Sequence, residues 1–369
     1  MRVVQSEIRE PVPQRVGDID LFIEGDVLYA AMLDSIAAAS RSVRMESYIF
    51  AADEVGWRFA EALGERARAG IDVRLHLDAA GVRGAASTAL QRSMMERGVH
   101  VKYFHRWVRR RPLRYNRRNH RKLLVIDEDL AYVGGFNIHR QSSREFYGAR
   151  RWRDTHAAFT GTLAAEAAKV FDAFWRGHRR WLPTRSDTGA AALIPSSSRA
   201  CQRRIHCLYS DAFASARERI YLSTPYFVPD LRTQRSLIEA ARRGVDVRLL
   251  VPASSDVPIA SWAAQAVYAV LLAAGVSIFR YVPRMLHTKT AVVDGSWAAL
   301  GTANLDYRSF FLNYELVLAL REPRLCAVLE QHFLADLAQS VPIAAQVWER
   351  RSWAQRLLES LGWALRRWL

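Results

Sequence analysis

The sequence predicts an α/β protein of two similar α-β-α lobes with mixed sheets, related by a pseudo-two-fold axis. Short apolar β-prone runs alternate with segments of helical periodicity, which places helices on both faces of each sheet. The order strand, helix, strand, helix, strand then recurs in the second half. "SVRMESYIF" is matched by "RIYLSTPYF", "AGIDVRLHLDAAG" by "RGVDVRLLVPASS", and "RGVHVKYF" by "AGVSIFRY". A chain duplicated in this way is expected to fold as two copies of one unit.

The duplication divides the 369 residues into four predicted segments. Residues 1–183 form the first lobe and residues 200–345 the second, and the polar stretch 184–199 is predicted as a linker. Residues 346–369 are predicted as a basic amphipathic helix, because apolar residues recur at helical spacing while arginines outnumber acids. Its apolar face comprises Trp353, Leu357, Leu361, Leu365 and Trp368.

The composition favours an anionic partner. Basic residues exceed acidic ones by 53 to 37, a net charge of +16, which does not by itself distinguish nucleic acid from an anionic membrane. Half of the residues are hydrophobic, which provides a sizeable core and excludes a largely disordered chain. Cys201, Cys207 and Cys326 form neither a disulfide framework nor a metal-ligand pattern, so no metal site is predicted.

Two segments bear on membrane access. The start, "MRVVQSEIREPVPQ", lacks the apolar core of a signal peptide, so we expect the chain to stay on the cytoplasmic side. The uncharged run 259–276 is 18 residues long, whereas a spanning helix needs about 20, so a helix of the fold is favoured. Access to a membrane would then be peripheral. The basic C-terminal helix is typical of segments that lie in a membrane interface, with packing on its own domain or on a partner as the alternative.

Two stretches share five residue types at five identical offsets: "HRKLLVIDEDLAYVGGFN" from His120 to Asn137, and "HTKTAVVDGSWAALGTAN" from His287 to Asn304. In each, a Lys follows the His by two places, an Asp by seven, a Gly by fourteen and an Asn by seventeen. The chain has only four lysines, and two of them lie in these motifs. This usage indicates that a compact ammonium is needed at both places.

Each motif can bring an imidazole, an ammonium and an amide to one point. The run "HRKLLVID" is predicted as a strand, and residues two apart on a strand point to the same face, so the His and the Lys lie side by side. The Gly would allow close approach of a ligand, and the Asn offers an amide donor. Such a group binds phosphoryl oxygens beside a titratable nitrogen. The residues are His120, Lys122, Gly134 and Asn137 in the first motif and His287, Lys289, Gly301 and Asn304 in the second.

Two such groups facing one phosphorus would divide the catalytic work. One histidine attacks phosphorus and forms a phosphohistidine, while the other protonates the leaving oxygen and later deprotonates an acceptor hydroxyl. The lysines and asparagines neutralise the developing charge, so no metal or other cofactor is predicted. Asp127 and Asp294 complete the motifs and are counted with the catalytic residues, although the residues themselves favour a bracing role.

Further residues are predicted to support the site. A nucleophilic histidine needs its second nitrogen held, and Asp154 in "RWRDTH" and Glu315 in "FLNYEL" are the candidates to orient the histidines. The basic segment "HRWVRRRPLRYNRRNHRK" adjoins the first motif. It is predicted to guide anionic head groups into the site, with a nucleic-acid backbone as the alternative ligand.

The chain resembles the phospholipase D superfamily and, within it, the bacterial cardiolipin synthases. The resemblance rests on the doubled motif and on the phrases "WRDTH", "TPYFVP" and "GTANLDYRSFFLNYE", and it extends over about residues 18–345. The resemblance implies a catalytic histidine pair, with His120 as nucleophile and His287 as acid and base. It implies that the motif lysines and asparagines bind phosphate and that Asp154 and Glu315 orient the histidines.

The predicted function is phosphatidyl transfer that makes cardiolipin from phosphatidylglycerol, with an anionic phospholipid membrane as partner and phosphatidylethanolamine as the alternative donor. The same chemistry would serve a phospholipase D or nuclease that hydrolyses phosphodiesters. Nucleic acid is disfavoured because the chain lacks the interleaved aromatic residues of single-strand binders. A binding module with an inactive site is a third alternative, against which the intact duplicate argues. The sequence leaves the oligomeric state open.

Overall fold

The computed structural model describes residues 14–82, 84–105, 116–178, 189–196 and 199–366, which form two eight-stranded mixed sheets with flanking helices. In each sheet three neighbouring strands are parallel, and the strands of the His-Lys motif continue the sheet in antiparallel fashion. The predicted α/β fold is confirmed.

The first sheet has the order β1-β2-β8-β7-β6-β3-β4-β5. Its strands are β1 (Gln14–Val16), β2 (Ile19–Phe22), β3 (Ser42–Ser47), β4 (Asp72–Asp78), β5 (His100–Phe104), β6 (Leu123–Ile126), β7 (Leu130–Gly134) and β8 (His156–Thr160). The helices of this half are α1 (Gly25–Ala38), α2 (Glu54–Arg68), α3 (Ala85–Glu96), α4 (Arg144–Tyr147) and α5 (Thr162–Trp175).

The second half repeats this plan, with the sheet order β18-β13-β12-β10-β14-β15-β17-β9. Its strands are β9 (Ala191–Pro195), β10 (Arg219–Ser223), β12 (Asp246–Pro252), β13 (Ser277–Tyr281), β14 (Thr290–Val293), β15 (Trp297–Gly301), β17 (Leu316–Leu320) and β18 (Ser340–Pro342), and a separate parallel pair is formed by β11 (Phe227–Val228) and β16 (Leu305–Asp306). The helices are α6 (Arg199–Ser215), α7 (Leu231–Arg242), α8 (Pro258–Gln265), α9 (Tyr268–Ala273), α10 (Tyr307–Phe311), α11 (Pro323–Leu337), α12 (Ala345–Glu349) and α13 (Trp353–Leu365).

The motif strands pair with the first parallel strand of their lobe in the same register. Val43 of β3 lies opposite Ile126 of β6, and Ile220 of β10 lies opposite Val293 of β14. Ile126 and Val293 each directly precede a motif aspartate. The duplication visible in the sequence therefore extends to the pairing of individual residues.

The helix after the first parallel strand begins at a matched aspartate in both lobes. Asp53 caps α2 by accepting from the N–H of Gly56, and Asp230 caps α7 by accepting from the N–H groups of Arg232 and Thr233. Caps of this kind are worth about 1 kcal/mol each. The apolar faces of both helices pack into the core of their lobe.

A shared apolar core joins the lobes. Each lobe has its own core, and a third one lies between the two sheets, where α5 of the first lobe meets α11 of the second. Val125 of β6 and Val292 of β14 are buried in it with Phe171 and Phe333 from the two helices. Because both motif strands contribute to one core, the residues that precede them are brought to the same region between the lobes.

Part of the segment 184–199, which the sequence predicts to be a linker, is a strand of the second sheet. Ala191–Pro195 form the edge strand β9, antiparallel to β17, so this piece belongs to the second sheet. Residues 184–188, 197 and 198 lie outside the described residues. The boundaries 1–183 and 200–345 stay a prediction, to which β9 adds a strand.

The uncharged run 259–276 contains two short helices, α8 and α9, rather than one long one. Ala263 and Leu271 are fully buried in them, as expected for helices of the fold. Across the described residues, no helix combines the length and apolar character needed to cross a bilayer.

Candidate active site

A cavity of about 560 Å³ is lined by both motif histidines, His120 from the first lobe and His287 from the second. Its wall also contains aromatic and polar side chains of both lobes: Tyr48, Asn116, Arg118, Asn137, Trp152, Tyr226, Asp256, Asn304, Asp306, Arg308 and Asn313. The two imidazoles therefore meet at one cavity, as the sequence predicts. A second cavity of about 570 Å³, where α5, β9 and α11 meet, has neither histidine among its described lining residues.

Backbone hydrogen bonds fix each histidine segment to the opposite lobe. The N–H of His120 donates to the carbonyl oxygen of Tyr314 (2.9 Å), and the N–H of His287 donates to that of Arg153 (2.7 Å). The histidines precede their strands rather than lying within them, since β6 and β14 each begin three residues later. The strands are thus shorter at their N-terminal ends than the sequence predicts. The residues that precede each strand, including the histidine, form hydrogen bonds with the other lobe instead.

The histidine-orienting carboxylates are also exchanged between the lobes. Nδ1 of His120 lies 3.0 Å from Oε2 of Glu315, and Nδ1 of His287 lies 2.5 Å from Oδ2 of Asp154. Both carboxylates contact a histidine, as predicted, but each contacts the histidine of the other motif. Register makes their positions equivalent: the motif glycines lie opposite His156 and Val317, and each carboxylate is two residues before that partner. Each lobe therefore completes the site of the other.

Hydrogen bonds hold both carboxylates in place. Thr302 Oγ1 donates to Oε2 of Glu315 (2.6 Å), and Ser309 Oγ donates to its Oε1 (2.9 Å). The N–H of Thr155 donates to Oδ1 of Asp154 (2.8 Å). Side chains so anchored can fix the ring plane and the tautomer of a histidine.

Both carboxylates stay ionised. Burial alone would raise their pKa, but Lys289 and His287 outweigh it at Asp154, and His120 outweighs it at Glu315, so both pKa values lie below the usual range. Nζ of Lys289 also lies 2.8 Å from Nδ1 of His287. One nitrogen cannot donate to a carboxylate and accept from an ammonium, and we assign its proton to the bond with Asp154. Each imidazole then presents Nε2 as the lone-pair nitrogen.

Burial lowers the pKa of both histidines. Desolvation, followed by the charge of Lys289, lowers the pKa of His287 to about 3 against the opposing effect of Asp154. Desolvation is also the main cause of the lowered pKa of His120, with Glu315 opposing it. The rings are therefore neutral before substrate arrives. An anionic phosphodiester in the cavity would raise both pKa values, because it favours the imidazolium form.

The motif lysines lie beneath the histidines. Nζ of Lys122 donates to the carbonyl oxygen of His120 (2.9 Å), and Nζ of Lys289 donates to that of His287. Burial and then repulsion from Lys289 lower the pKa of Lys122 to about 7, and burial lowers that of Lys289 to about 8. Neither lysine is among the described lining residues of the cavity, but both ammonium groups contact the histidine segments, and an anion bound beside them would favour their charged form.

The motif asparagines are oriented differently. Oδ1 of Asn137 accepts from the N–H of Ile49 (3.2 Å), which leaves its NH₂ group as a donor for the cavity. Nδ2 of Asn304 donates to Oδ2 of Asp306 (3.0 Å), and its buried Oδ1 has no hydrogen-bond partner within the described chain. Asn137 thus matches the predicted phosphate donor, whereas the unsatisfied atom of Asn304 is an acceptor.

The motif glycines serve the fold rather than a ligand. A Cβ on Gly134 would lie 2.4 Å from the Cα of His156, and one on Gly301 would lie 2.3 Å from the carbonyl oxygen of Leu316. The prediction that these glycines admit a ligand is therefore wrong. They allow the neighbouring strand, which carries the orienting carboxylate, to approach closely.

Asp127 and Asp294 do not line the cavity. They stand at the far ends of β6 and β14, with left-handed φ values of 53° and 51°. Each carboxylate accepts from three successive backbone N–H groups at distances of 2.7–2.9 Å: Ser40, Arg41 and Ser42 for Asp127, and Arg217, Glu218 and Arg219 for Asp294. Their inclusion among the catalytic residues is corrected, and the bracing role fits instead.

Several cavity residues escaped the sequence reasoning, among them Tyr48, Trp152, Tyr226 and Asp256. The ring of Tyr48 lies 5.0 Å from that of His120, and the ring of Trp152 lies 5.0 Å from that of His287. The hydroxyl of Tyr226 donates to Oδ1 of Asp256 (2.6 Å). No matched offset marked these residues, because they are not duplicated.

Only part of the basic segment can be placed. Residues 106–115 lie outside the described residues. Arg118 lines the cavity and pairs with the buried carboxylate of Asp78 (3.0 Å), while Asn116 accepts from Arg308 (2.8 Å). The guiding role of the segment stays a prediction. Among the described residues, no group of His, Cys, Asp or Glu has the arrangement of a metal site.

Two histidine–carboxylate pairs around one cavity, on duplicated α/β lobes, define a protein of the phospholipase D superfamily. The family described as "Cardiolipin synthase, PLD-like domain" matches residues 32–175 and 209–337, and the chain belongs to it. Curated cardiolipin synthases are similar over most of the chain. That of Clostridium perfringens (strain 13 / Type A) is 31% identical over 93% of this chain and 75% of its own length. That of Staphylococcus aureus (strain Mu50 / ATCC 700699) is 32% identical over 91% of this chain and 70% of its own length. The resemblance seen in the sequence is confirmed.

A solved structure supports the fold. The phosphatidylserine synthase of Haemophilus influenzae Rd KW20 superposes with a TM-score of 0.75 and covers 97% of both chains at 14% identity. At this identity the similarity establishes the architecture, not the substrate.

Proposed function

We propose that this chain is a phosphatidyltransferase that makes cardiolipin from phosphatidylglycerol through a phosphohistidine. The observation that carries the proposal is the pair of imidazoles on one cavity, each held through Nδ1 by a buried carboxylate of the other lobe. The family membership and the curated relatives support the lipid substrate.

In the first half-reaction, Nε2 of His120 attacks the phosphorus of one phosphatidylglycerol. The bond from phosphorus to the glycerol oxygen breaks, and His287 gives a proton to that oxygen. His287 can carry this proton because the bound phosphodiester raises its pKa from the low value that burial sets. The NH₂ group of Asn137 and the ammonium groups of Lys122 and Lys289 stabilise the charge on the phosphoryl oxygens.

In the second half-reaction, His287 is neutral and takes the proton from the hydroxyl of a second phosphatidylglycerol. That oxygen attacks phosphorus, the phosphorus–nitrogen bond breaks, and cardiolipin forms. One phosphodiester replaces another, so the exchange is close to neutral in energy. Whether lipid or water resolves the intermediate depends on how well the site excludes water.

The test uses purified protein and vesicles of phosphatidylglycerol labelled in the glycerol and acyl parts. Free glycerol and cardiolipin are expected to appear in equal amounts, and neither with His287→Ala. Phosphatidic acid as the only acyl product would contradict transfer and support the hydrolase alternative. Phosphatidylethanolamine vesicles test the alternative donor, which is expected to give no ethanolamine release.

We further propose that α13 docks the protein on an anionic bilayer. The helix packs on α8 through Gly362, where a Cβ would lie 2.6 Å from the backbone nitrogen of Ala263. Its opposite face is apolar yet exposed: Trp353 is 79% and Leu357 62% accessible, and Leu361 continues the same face. The alternative from the sequence, in which this face packs on the domain, is not what the contacts favour.

The surroundings of this face complement a bilayer rather than a protein partner. Arg350 and Arg356 are exposed beside it, and the acidic Glu359 is buried in an ion pair with Arg351 (2.8 Å). Arginines with Trp and Leu on one helix suit an anionic interface, where each charge adds about 1 kcal/mol. Ala260 of α8 lines the cavity, so α13 packs on a helix that forms part of the cavity wall.

Vesicle sedimentation tests this docking. The double variant Trp353→Ser/Leu357→Ser is expected to bind phosphatidylglycerol vesicles at least about tenfold more weakly, because two large apolar side chains no longer enter the interface. Leu231→Ser is the control, since Leu231 is 63% exposed at the start of α7. Equal loss in both variants, or none in the double variant, would contradict the docking role. Vesicles without anionic lipid separate the charge contribution from the apolar one.

A further inference from the structure

One part of the second-lobe wall presents hydrogen-bond acceptors to the cavity, although an anionic phosphodiester requires donors. Asp256 places a carboxylate in the wall, and Asn304 contributes an Oδ1 that is buried without a partner in the described chain. The orientation of Asn304 is fixed, because its NH₂ group donates to the carboxylate of Asp306 (3.0 Å). A buried acceptor without a donor costs free energy, so its presence points to a ligand that donates.

These acceptors form one continuous surface. Tyr226 directly precedes β11 and Asn304 directly precedes β16, and the two strands pair in parallel with Phe227 opposite Leu305. The two side chains therefore lie at the same end of this pair. Tyr226 donates its hydroxyl hydrogen to Oδ1 of Asp256, which orients that carboxylate and leaves Oδ2 to accept from a ligand.

The described residues of the first lobe include no equivalent of this surface. Register aligns Val43 with Ile220 and Asp72 with Asp246, so the positions that match Tyr226 and Asp256 are Ile49 and Val82. Ile49 lines the cavity as an apolar side chain, and its backbone N–H orients Asn137 as a donor. The equivalent positions therefore differ: the second lobe places acceptors where the first lobe has an apolar side chain and an amide donor, although Arg308 of the second lobe also lines the wall and donates to Asn116.

We propose that the acceptor surface of Tyr226, Asp256 and Asn304 is a subsite for the vicinal hydroxyl groups of a glycerol head group. The hydroxyl next to the reacting oxygen donates to Asp256, and Asn304 accepts from the same diol. The phosphate lies toward Asn137 and the lysines, away from the Asp256 carboxylate, which would repel it. This inference deepens the proposed function and rests on it for the identity of the head group.

One subsite serves both half-reactions. In the first, the leaving glycerol occupies it: the phosphorus–oxygen bond breaks and the oxygen takes the proton of His287. In the second, the glycerol end of the acceptor lipid occupies it: its primary oxygen bonds to phosphorus, the bond to Nε2 of His120 breaks, and the hydroxyl proton passes to His287. The hydroxyl next to the reacting oxygen is present in both substrates, so the contact with Asp256 selects both. The contact with Asn304 is made by the leaving glycerol alone, because the far glycerol oxygen of the acceptor lipid is esterified.

The test compares two donors in the same vesicles: phosphatidylglycerol, with a diol, and phosphatidylethanol, whose ethyl head group has no free hydroxyl. The wild-type chain is expected to cleave phosphatidylglycerol at least about tenfold faster, the value of one hydrogen bond to a charged acceptor. Asp256→Asn is expected to reduce this ratio about tenfold while phosphatidylethanol cleavage is kept, because the contact with Asn304 remains. Tyr226→Phe is expected to reduce the ratio about threefold, and it replaces Asp256→Asn as the deciding variant if the latter does not fold.

A matched control exists in the same lobe. Tyr221 donates to Oδ2 of Asp246 (3.1 Å) outside the cavity, so Tyr221→Phe removes a similar hydrogen bond and should leave the donor ratio unchanged. A wild-type ratio near one, or equal losses for both donors in Asp256→Asn, would overturn the subsite. Phosphatidic acid as the sole acyl product would refute transfer. The ratio of the cleavage rates of the two donors would still test the subsite in that case. A wild-type chain that cleaves neither lipid would overturn both.

Discussion

The two lobes share strand order, register and motif, yet their motif asparagines and the residues beside them offer the cavity different kinds of group. The first lobe presents the NH₂ group of Asn137 beside the apolar Ile49. The second presents the Oδ1 of Asn304 beside the carboxylate of Asp256. The duplication therefore supplies the geometry of two facing imidazoles, and the residues that differ between the copies decide which part of a substrate lies on which side.

The two lobes also exchange the carboxylates that orient their histidines. Asp154 and Glu315 occupy equivalent positions and differ by one methylene, and each reaches across to the histidine of the other lobe. The pairing is symmetric while the predicted roles of the histidines are not. Variants on the two sides should therefore resemble each other in structure and differ in which chemical step they slow.

The largest effect is expected from the histidines. His120→Ala and His287→Ala should each lower turnover of phosphatidylglycerol by at least about 10²–10⁴-fold, because each removes a group that transfers a proton or bonds to phosphorus. A p-nitrophenyl phosphatidyl donor, whose leaving group needs no proton, should separate them. With it, His287→Ala still forms a phosphoenzyme and His120→Ala does not, as measured by mass spectrometry after acid quench. A phosphoryl group found on His287 would reverse the two roles.

The exchanged carboxylates should show the next largest effect. Asp154→Asn and Glu315→Gln are each expected to lower turnover by about 10²-fold or more, because an amide does not hold the Nδ1–H tautomer as a carboxylate does. The activated donor should rescue Asp154→Asn, which impairs His287, and not Glu315→Gln, which impairs His120. Rescue of Glu315→Gln alone would mean that each carboxylate serves the histidine of its own lobe. Single-turnover rates with both donors measure the difference.

A moderate effect of pH is expected from the two lysines. Their pKa values, about 7 for Lys122 and about 8 for Lys289, mean that both lose their proton as the pH rises through this range. Because the phosphate then loses its positive partners, kcat/KM should fall as pH increases above about 7. Bound phosphate restores the lysine charge, so kcat should fall only at higher pH.

Rate profiles from about pH 6 to 9 at constant ionic strength measure this dependence. Lys122→Arg should remove the lower of the two alkaline steps and Lys289→Arg the upper one, since arginine stays charged throughout. A kcat/KM value that rises through this range would contradict the assignment of the lysines to phosphate.

The smallest effect, equal in the two lobes, is expected from the bracing aspartates. Asp127→Asn and Asp294→Asn should each lower the free energy of unfolding by about 1–2 kcal/mol, because each carboxylate accepts from three backbone N–H groups. Activity at saturating substrate should change little. Urea titration monitored by circular dichroism gives the loss.

The pH dependence of that loss has a defined sign. Backbone hydrogen bonds outweigh burial and lower the pKa of both aspartates in the folded state. Their contribution is present above the unfolded pKa and disappears as the pH falls through the lowered folded value, so variants and wild type should converge in acid. A variant with normal stability and no activity would instead support a catalytic role for Asp127 or Asp294.

The fold and the histidine pair could be predicted because duplication is written directly in the sequence. Matched offsets identify His120 and His287, and alternating strand and helix patterns give the order of elements. Asp154 and Glu315 were found as candidates, but order along the chain does not reveal that they cross between lobes. That crossing follows from the core packed between the sheets, which is a property of the assembled fold.

Unmatched features were harder to predict. Tyr226 and Asp256 have residues of another type, Ile49 and Val82, at the matching positions of the first half, and they become neighbours only when β11 and the residues after β12 come together. The role of Asn304 depends on which end of its amide Asp306 holds, which no spacing encodes. The strand β9 within the supposed linker is short and apolar, and only its pairing with β17 distinguishes it from a loop.

The exchange of carboxylates has a consequence for how such a chain arose and how it fails. A protease cut between the halves should be harmless while they stay associated, but separated fragments would each hold an imidazole with nothing to steady its ring. A single-lobe ancestor could have worked only as a homodimer in which each chain supplied the carboxylate that orients the histidine of the other. Gene fusion would then have fixed this arrangement in one chain. Only after fusion could the two copies diverge, one toward contacts with the alcohol and the other toward contacts with the phosphate.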